Sequence, residues 1–144
     1  RTPICGWTNC ERDSTRSTTE GATMKPVSTK SAEHYQWGGG CDGWHLLAGD
    51  DLSVIEERMP PNTAEQRHRH ARSRQFFYVL EGEATLELEG ATHVLRRGDG
   101  LHVPPDMAHQ MRNDSEAEVR FVVVSAPKSH GDRIAAPPVQ SDVG

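Results

Sequence analysis

His68 and His70 stand two residues apart in the stretch His68-Arg69-His70-Ala71-Arg72-Ser73-Arg74-Gln75. In an extended chain residues i and i+2 point to the same face, so both imidazoles would meet one point. Neutral imidazoles gathered in this way favour a divalent metal. Gln75 opens the run Gln75-Phe76-Phe77-Tyr78-Val79-Leu80, whose aromatic and β-branched residues predict a strand. The first inward residue of that strand could bring an amide oxygen to the same point. His109, farther along the chain, is the fourth candidate.

Such groups need rigid elements to hold them. Strand signals recur at 44–47, 52–59, 75–80, 84–89, 91–97, 101–103, 108–112 and 119–125. Pro60-Pro61-Asn62, Glu81-Gly82-Glu83, Gly98-Asp99-Gly100 and Pro104-Pro105-Asp106 supply the turns between them. In 84–89 the alternation places Leu86 and Leu88 inward, Glu87 and Glu89 outward. The run 119–125 is nearly all apolar and is expected to be buried on both faces. Residues 28–36 allow at most one short helical turn, with Ser28 or Thr29 as its N-cap. About eight short strands with regular turns predict an all-β sandwich or barrel. The glycine-rich loop after Trp37 is bracketed by Tyr35, Trp37 and Trp44, which either plug the end of the domain or line a pocket. Met59, Phe77, Val79 and Met111 share inward parity and read equally as core or as pocket wall.

At 144 residues the chain is one domain by length, and its hydrophobic share of 34% is low because polar tails dilute the middle. The expected divisions are 1–23, a disordered leader or an addition ahead of a native start at Met24; 24–43, an N-terminal extension; 44–126, the barrel; and 127–144, a frayed tail. A net charge of -5 gives no reason to expect nucleic acid. Arg67, Arg69, Arg72 and Arg74 form a basic cluster, read either as a solvated face or as attraction for an anionic substrate. Three cysteines, Cys5, Cys10 and Cys41, define no disulfide framework and leave a Cys5–Cys10 zinc or disulfide site open. No apolar run reaches membrane length and no secretory core opens the chain, so a cytoplasmic protein with no membrane partner is expected.

The histidines and turns together resemble the cupin superfamily, a double-stranded β-helix of jelly-roll type. Its first motif is matched by His68, His70 and Gly82, with Gln75 where a glutamate is usual. Its second is matched by Gly98, Pro104, His109 and Asn113, with Asp106 where a glycine is usual. Seven of nine positions agree at the right spacing, which is far more specific than two histidines alone. The resemblance implies one divalent metal (zinc, iron, manganese or nickel) on His68, His70, His109 and Gln75. Gln75 has the alternative of holding a water or substrate while only the histidines bind. A three-His, one-Gln set is similar to those of cupin-type polyketide cyclases and isomerases. Segments such as Glu57-Arg58-Met59-Pro60-Pro61 are also similar to short bacterial cupins of no assigned activity.

Replacing a carboxylate ligand by an amide leaves the full +2 charge on the ion. Bound water becomes more acidic, anionic ligands are drawn in, and the ion itself is held less tightly. Lewis-acid isomerisation or cyclisation of a small carbonyl compound follows as the leading expectation, with His102 or Tyr35 as the proton-moving group. Iron- or nickel-dependent dioxygenation and a non-enzymatic ligand-binding module are the alternatives. Outward Phe76, Tyr78 and Leu80 would suit a homodimer interface.

Overall fold

The computed structural model describes residues 24–140. The expected leader, with the Cys5–Cys10 question, and the last four residues lie outside the described residues. Every regular element among those described is a strand: β1 Glu33–Trp37, β2 Cys41–Ala48, β3 Ser53–Met59, β4 Thr63–Ala64, β5 His68–His70, β6 Arg74–Glu81, β7 Glu83–Leu88, β8 Ala91–Arg96, β9 Gly100–Val103, β10 His109–Asn113, β11 Val119–Ala126 and β12 Arg133–Ala135. One antiparallel sheet runs β1-β2-β3-β11-β6-β9, and the other runs β12-β5-β10-β7-β8, with β4 paired to β10. This is the two-layered double-stranded β-helix expected from the sequence. No helix among the described residues is long and apolar enough to cross a membrane.

The inner faces meet in a core of Phe121, Met59, Leu86, Met111 and Val79, all essentially inaccessible to solvent. Each such side chain stabilises the fold by roughly 1.5–3 kcal/mol through burial. β6 alternates strictly, with Gln75, Phe77 and Val79 inward and Phe76, Tyr78 and Leu80 outward at 43%, 42% and 37% exposure.

Several local expectations are corrected. The one turn expected within 28–36 is confined to its start, where Ser28 Oγ also accepts from Lys30 N at 3.2 Å as a cap. Ser28 O accepts from Ser31 N at 3.0 Å and Ala32 N at 2.8 Å, closing a single turn. β1 then begins at Glu33, because pairing with β2 through five residue pairs, Glu33–His45 to Trp37–Cys41, outweighs local helix preference. Residues 33–43 are therefore part of the sheet. Glu87 is not outward in solvent but 4% exposed, because Arg67 Nε donates to its Oε1 at 2.9 Å and covers it. β11 is buried on one face only, since it lies mid-sheet with its second face half-exposed. The segment after Pro127 is not frayed through 140: Arg133, Ile134 and Ala135 pair with His70, Arg69 and His68. Asp132 Oδ2 accepts from the backbone N–H groups of Arg72 and Ser73 at 2.9 and 2.8 Å, pinning that segment.

Three motif residues act through the backbone. Gly82 has φ +81°, and a Cβ there would lie 2.4 Å from Glu118 O, so no side chain fits the close approach of β6–β7 to the start of β11. Asp106 adopts φ 64° where the motif usually has glycine, a conformation that aspartate tolerates. Its N–H donates to His70 O at 2.7 Å, tying the turn to the histidine strand. Asn113 is wholly buried; its Nδ2 donates to Met59 O and Ala117 O at 3.0 and 2.8 Å, and its Oδ1 accepts from Ser115.

Gly82→Ala is expected to cost about 2–4 kcal/mol, from the clash plus the strained φ. Gly90→Ala, at φ +89° with open space around it, should cost only about 1 kcal/mol. Urea denaturation of the two variants measures the difference. The homodimer expected through Phe76, Tyr78 and Leu80 requires light scattering to report twice the chain mass; a particle of single-chain mass removes it.

Candidate metal centre

β5 carries His68 and His70 with both side chains buried, at 4% and 5% exposure, while Arg69 between them faces outward. The period of two in an extended strand does this. β10 runs antiparallel to β5 and sets His109 directly opposite His68. Ligand atoms of the three imidazoles all lie within 4.8 Å of one another. The rings touch, with centroids 4.8 Å apart for His68–His70, 4.5 Å for His68–His109 and 5.9 Å for His70–His109.

The backbone sets how the rings are presented. His68 Nδ1 lies 2.8 Å from Gln66 O and His109 Nδ1 lies 2.9 Å from Met107 O. A carbonyl only accepts, so in each ring Nδ1 carries the proton and Nε2 keeps its lone pair. His109 Nε2 is buried without a hydrogen-bond partner, as is His70 Nδ1. Gln75, on β6 of the opposite sheet, is 6% exposed and donates from Nε2 to Ser125 Oγ at 3.1 Å. That bond leaves Gln75 Oε1 buried with no partner. A buried polar atom left unpaired costs about 1–3 kcal/mol, so these atoms await something to bind.

Electrostatics keep the cluster neutral. Burial, then the neighbouring imidazoles and Arg133, hold His68 down to about 3. Burial and His109 hold His70 down to about 4, and burial lowers His109 as well. Neutral imidazole is the metal-binding form, so the site is ready to bind at ordinary pH.

His68, His70 and Gln75 line a cavity of about 360 Å³. Phe77, Ile55 and Val123 supply its apolar wall, and Tyr35, Trp37, Glu57 and Glu65 bring polar groups. The tail segment contributes Ser129, His130, Gly131 and Arg133. Of the apolar residues expected as wall or core, Phe77 lines the cavity, whereas Met59, Val79 and Met111 belong to the core. Tyr35 and Trp37 line the cavity; Trp44 instead lies under the Arg120 guanidinium at 5.4 Å. His102 is corrected as a pocket base: it is exposed, paired opposite outward Phe76 on β9. None of Arg67, Arg69, Arg72 and Arg74 lines the cavity; Arg133 does.

The sequence reading missed Glu57, Glu65, His130 and Arg133. Glu57 had a visible signal. On β3 it shares parity with inward Ser53, Ile55 and Met59, so it is the one charged residue on the inner face of that strand. Burial pushes its carboxyl up to about 7, partly offset by the Tyr35 hydroxyl. Burial likewise pushes Glu65 up to about 8 and raises the Tyr35 phenol well above its usual range, so Tyr35 donates a hydrogen bond and does not act as the base.

Comparison with known proteins agrees with this architecture. Residues 55–125 match the cupin domain family. The chain is 39% identical over 69 residues to the polyketide synthase CurC of Streptomyces cyaneus, a match covering 48% of this chain and 45% of that protein. It is 32% identical over 88 residues to the quercetin 2,3-dioxygenase of Bacillus subtilis, covering 51% of this chain and 26% of the dioxygenase. The chain thus spans less than half the length of either relative. In structure it is similar to the polyketide cyclase RemF of Streptomyces resistomycificus, with a TM-score of 0.70, 20% identity, and coverage of 82% of this chain and 89% of that one. Motif, fold and family match together place the chain in the cupin superfamily, with its cupin domain at residues 55–125.

Proposed function

We propose that this protein is a divalent-metal-dependent enzyme that isomerises or cyclises a small carbonyl compound of polyketide-like character. The observation that carries the reading is the neutral, buried ligand set beside an organic-sized cavity. His68, His70 and His109 would hold the ion through imidazole nitrogen, and Gln75, whose Oε1 has no partner, would add that oxygen from the opposite sheet. Held by these neutral groups, a divalent ion would keep its full charge and would supply Lewis-acid polarisation of a carbonyl oxygen.

The chain's own residues do the rest. Gln66 O and Met107 O fix two imidazoles, and Ser125 fixes the amide. Phe77, Ile55 and Val123 keep water from one side of the cavity. Arg133 has no carboxylate partner among the described residues; its Nη2 donates to Gln66 O at 3.0 Å. In this reading Arg133, which lines the cavity, holds an anionic group of the substrate such as a phenolate or carboxylate. The likeness to CurC and RemF supports this reading. The likeness to a quercetin dioxygenase supports iron- or nickel-dependent dioxygenation as the second reading. Turnover of phenolic polyketones by metal-loaded protein under argon separates the two: equal rates with and without oxygen are expected, and oxygen consumed in step with substrate overturns the Lewis-acid assignment.

Calorimetry with zinc should give one site per chain. His109→Ala is expected to weaken binding about 100-fold or more, and Gln75→Ala about tenfold, since an amide oxygen contributes less than an imidazole. Unchanged affinity in Gln75→Ala would limit the ligands to the three histidines.

Acid should destabilise the metal-free protein in a defined window. The unfolded histidines take up protons near 6.5, but His68 and His70 in the fold do so only at about 3 and about 4. The unfolded state therefore binds more protons as pH falls. Their contribution is fully present above pH 6.5 and is lost progressively towards pH 4, by about 2 kcal/mol per buried histidine at pH 5. Thermal melts between pH 7.5 and 4.5 check this, and His70→Gln should flatten the slope.

A further inference from the structure

Glu57 and Tyr35 form a unit that the metal site does not use. They sit on neighbouring elements of the six-stranded sheet: Tyr35 pairs with Gly43 across β1–β2, and Gly43 pairs with Glu57 across β2–β3. Three residues thus stand in one row across three strands. The middle one has to be glycine, because a Cβ there would lie 2.2 Å from Tyr35 Cζ and 2.5 Å from its Oη. The tyrosine ring lies flat across the Gly43 backbone, and its hydroxyl donates to Glu57 Oε1 at 3.0 Å. Glu57 forms no ion pair among the described residues.

A half-buried carboxylate at an inward strand position, with no ion pair among the described residues and only the longer-range pull of Arg133, costs stability. A structural role gives no return for that cost, since Tyr35 lacks any need for a charged acceptor. The cavity explains it: Glu57 lines the same space as His68, His70 and Gln75.

We propose that Glu57, oriented by Tyr35 across Gly43, is the catalytic group that moves a proton to and from carbon on a carbonyl compound bound in the cavity lined by His68 and His70. The inference rests on the metal-dependent reading given above. The carboxylate takes the proton from the carbon beside the carbonyl; the C–H bond breaks and its electron pair moves into the carbonyl system as an enolate. Delivering a proton from the Glu57 carboxyl to the neighbouring carbon, while a hydroxyl proton passes between the two oxygens, completes the isomerisation with no oxidant or reductant consumed; exchange of the carboxyl proton with solvent before delivery carries deuterium into the C–H position. Tyr35 is the positioning residue, holding Oε1 so that Oε2 is left for the substrate. The titratable and charged groups sharing the cavity with Glu57 are Tyr35, Glu65, His68, His70, His130 and Arg133. Burial brings Glu57 to about 7, where a carboxyl can both take and return a proton at neutral pH.

The wild-type chain, Glu57→Gln, Tyr35→Phe and Gly43→Ala are compared. Infrared difference spectra of the metal-free proteins should contain protonated-carboxyl bands from Glu57, fading as pH rises through about 7, and from Glu65, fading through about 8; only the Glu57 band is missing in Glu57→Gln. Zinc-loaded protein in deuterium oxide is then given hydroxyacetone, and exchange of its C–H hydrogens is followed by proton NMR. Glu57→Gln keeps a hydrogen-bond acceptor for Tyr35 and should retain zinc affinity, yet lose exchange by about 100-fold or more. Tyr35→Phe and Gly43→Ala should lower the rate about tenfold and shift its pH profile, which a merely structural role would not do. A missing carboxyl band, a zinc-bound wild type that does not exchange, or exchange in Glu57→Gln within threefold of wild type overturns the role of Glu57 and leaves the metal site standing. Failure of the wild type to bind zinc overturns the metal-dependent reading itself.

Discussion

Three imidazoles held in contact, away from water, all have to stay uncharged. Two adjacent imidazolium ions at ring distances of 4.5–4.8 Å would repel strongly in a medium that screens poorly. Desolvation pushes in the same direction, and the backbone carbonyls of Gln66 and Met107 then choose which nitrogen keeps the proton. Neutrality, tautomer and ring direction thus follow from one packing arrangement, the antiparallel pairing of His109 with His68. That arrangement leaves polar atoms unpaired in the interior, which is a cost the rest of the barrel has to carry.

The barrel carries it by dividing its interior. At one end Met59, Val79, Leu86, Met111 and Phe121 pack without access to solvent. Away from it β3 and β6, joined by β5, line a cavity with Glu57, Gln75, His68 and His70. β6 passes from one region to the other, so Gln75 faces the cavity while Val79 lies in the core. Asn113, Gly82 and Asp106 lie at turns that fix how strands enter this division. Asn113 ties β10 to the end of β3, and Asp106 ties the loop before β10 back to β5. The turn residues of the motif therefore fix the strands that carry the histidines, Asp106 by a direct backbone bond to His70.

The C-terminal segment completes the enclosure. Pairing of β12 with β5 brings His130 and Arg133 to the cavity, and the backbone N–H groups of Arg72 and Ser73 anchor it through Asp132. Among the described residues, Arg133 lines this cavity without a carboxylate ion pair, together with the carboxyl groups of Glu57 and Glu65 and the neutral imidazoles of His68 and His70.

The sequence by itself determined the strands, their inward parity and the spacing of His68, His70, Gln75 and His109, because alternation and turn chemistry are local and survive in a linear chain. It determined the fold as well, since glycine, proline and asparagine at fixed offsets report backbone needs that few folds share. Glu57 could have been read from parity alone, as a charge among the inward residues of β3. Other features depended on partners distant in sequence. Arg67 covers Glu87 from twenty residues away. β1 forms because β2 is there to pair with it, and the tail is ordered because β5 offers it an edge. Tyr35 reaches Glu57 only because two strand registers bring Gly43 between them. Tertiary structure alone decided these, because burial and hydrogen-bond satisfaction are set by which strands become neighbours, and periodicity within one strand carries no information about that.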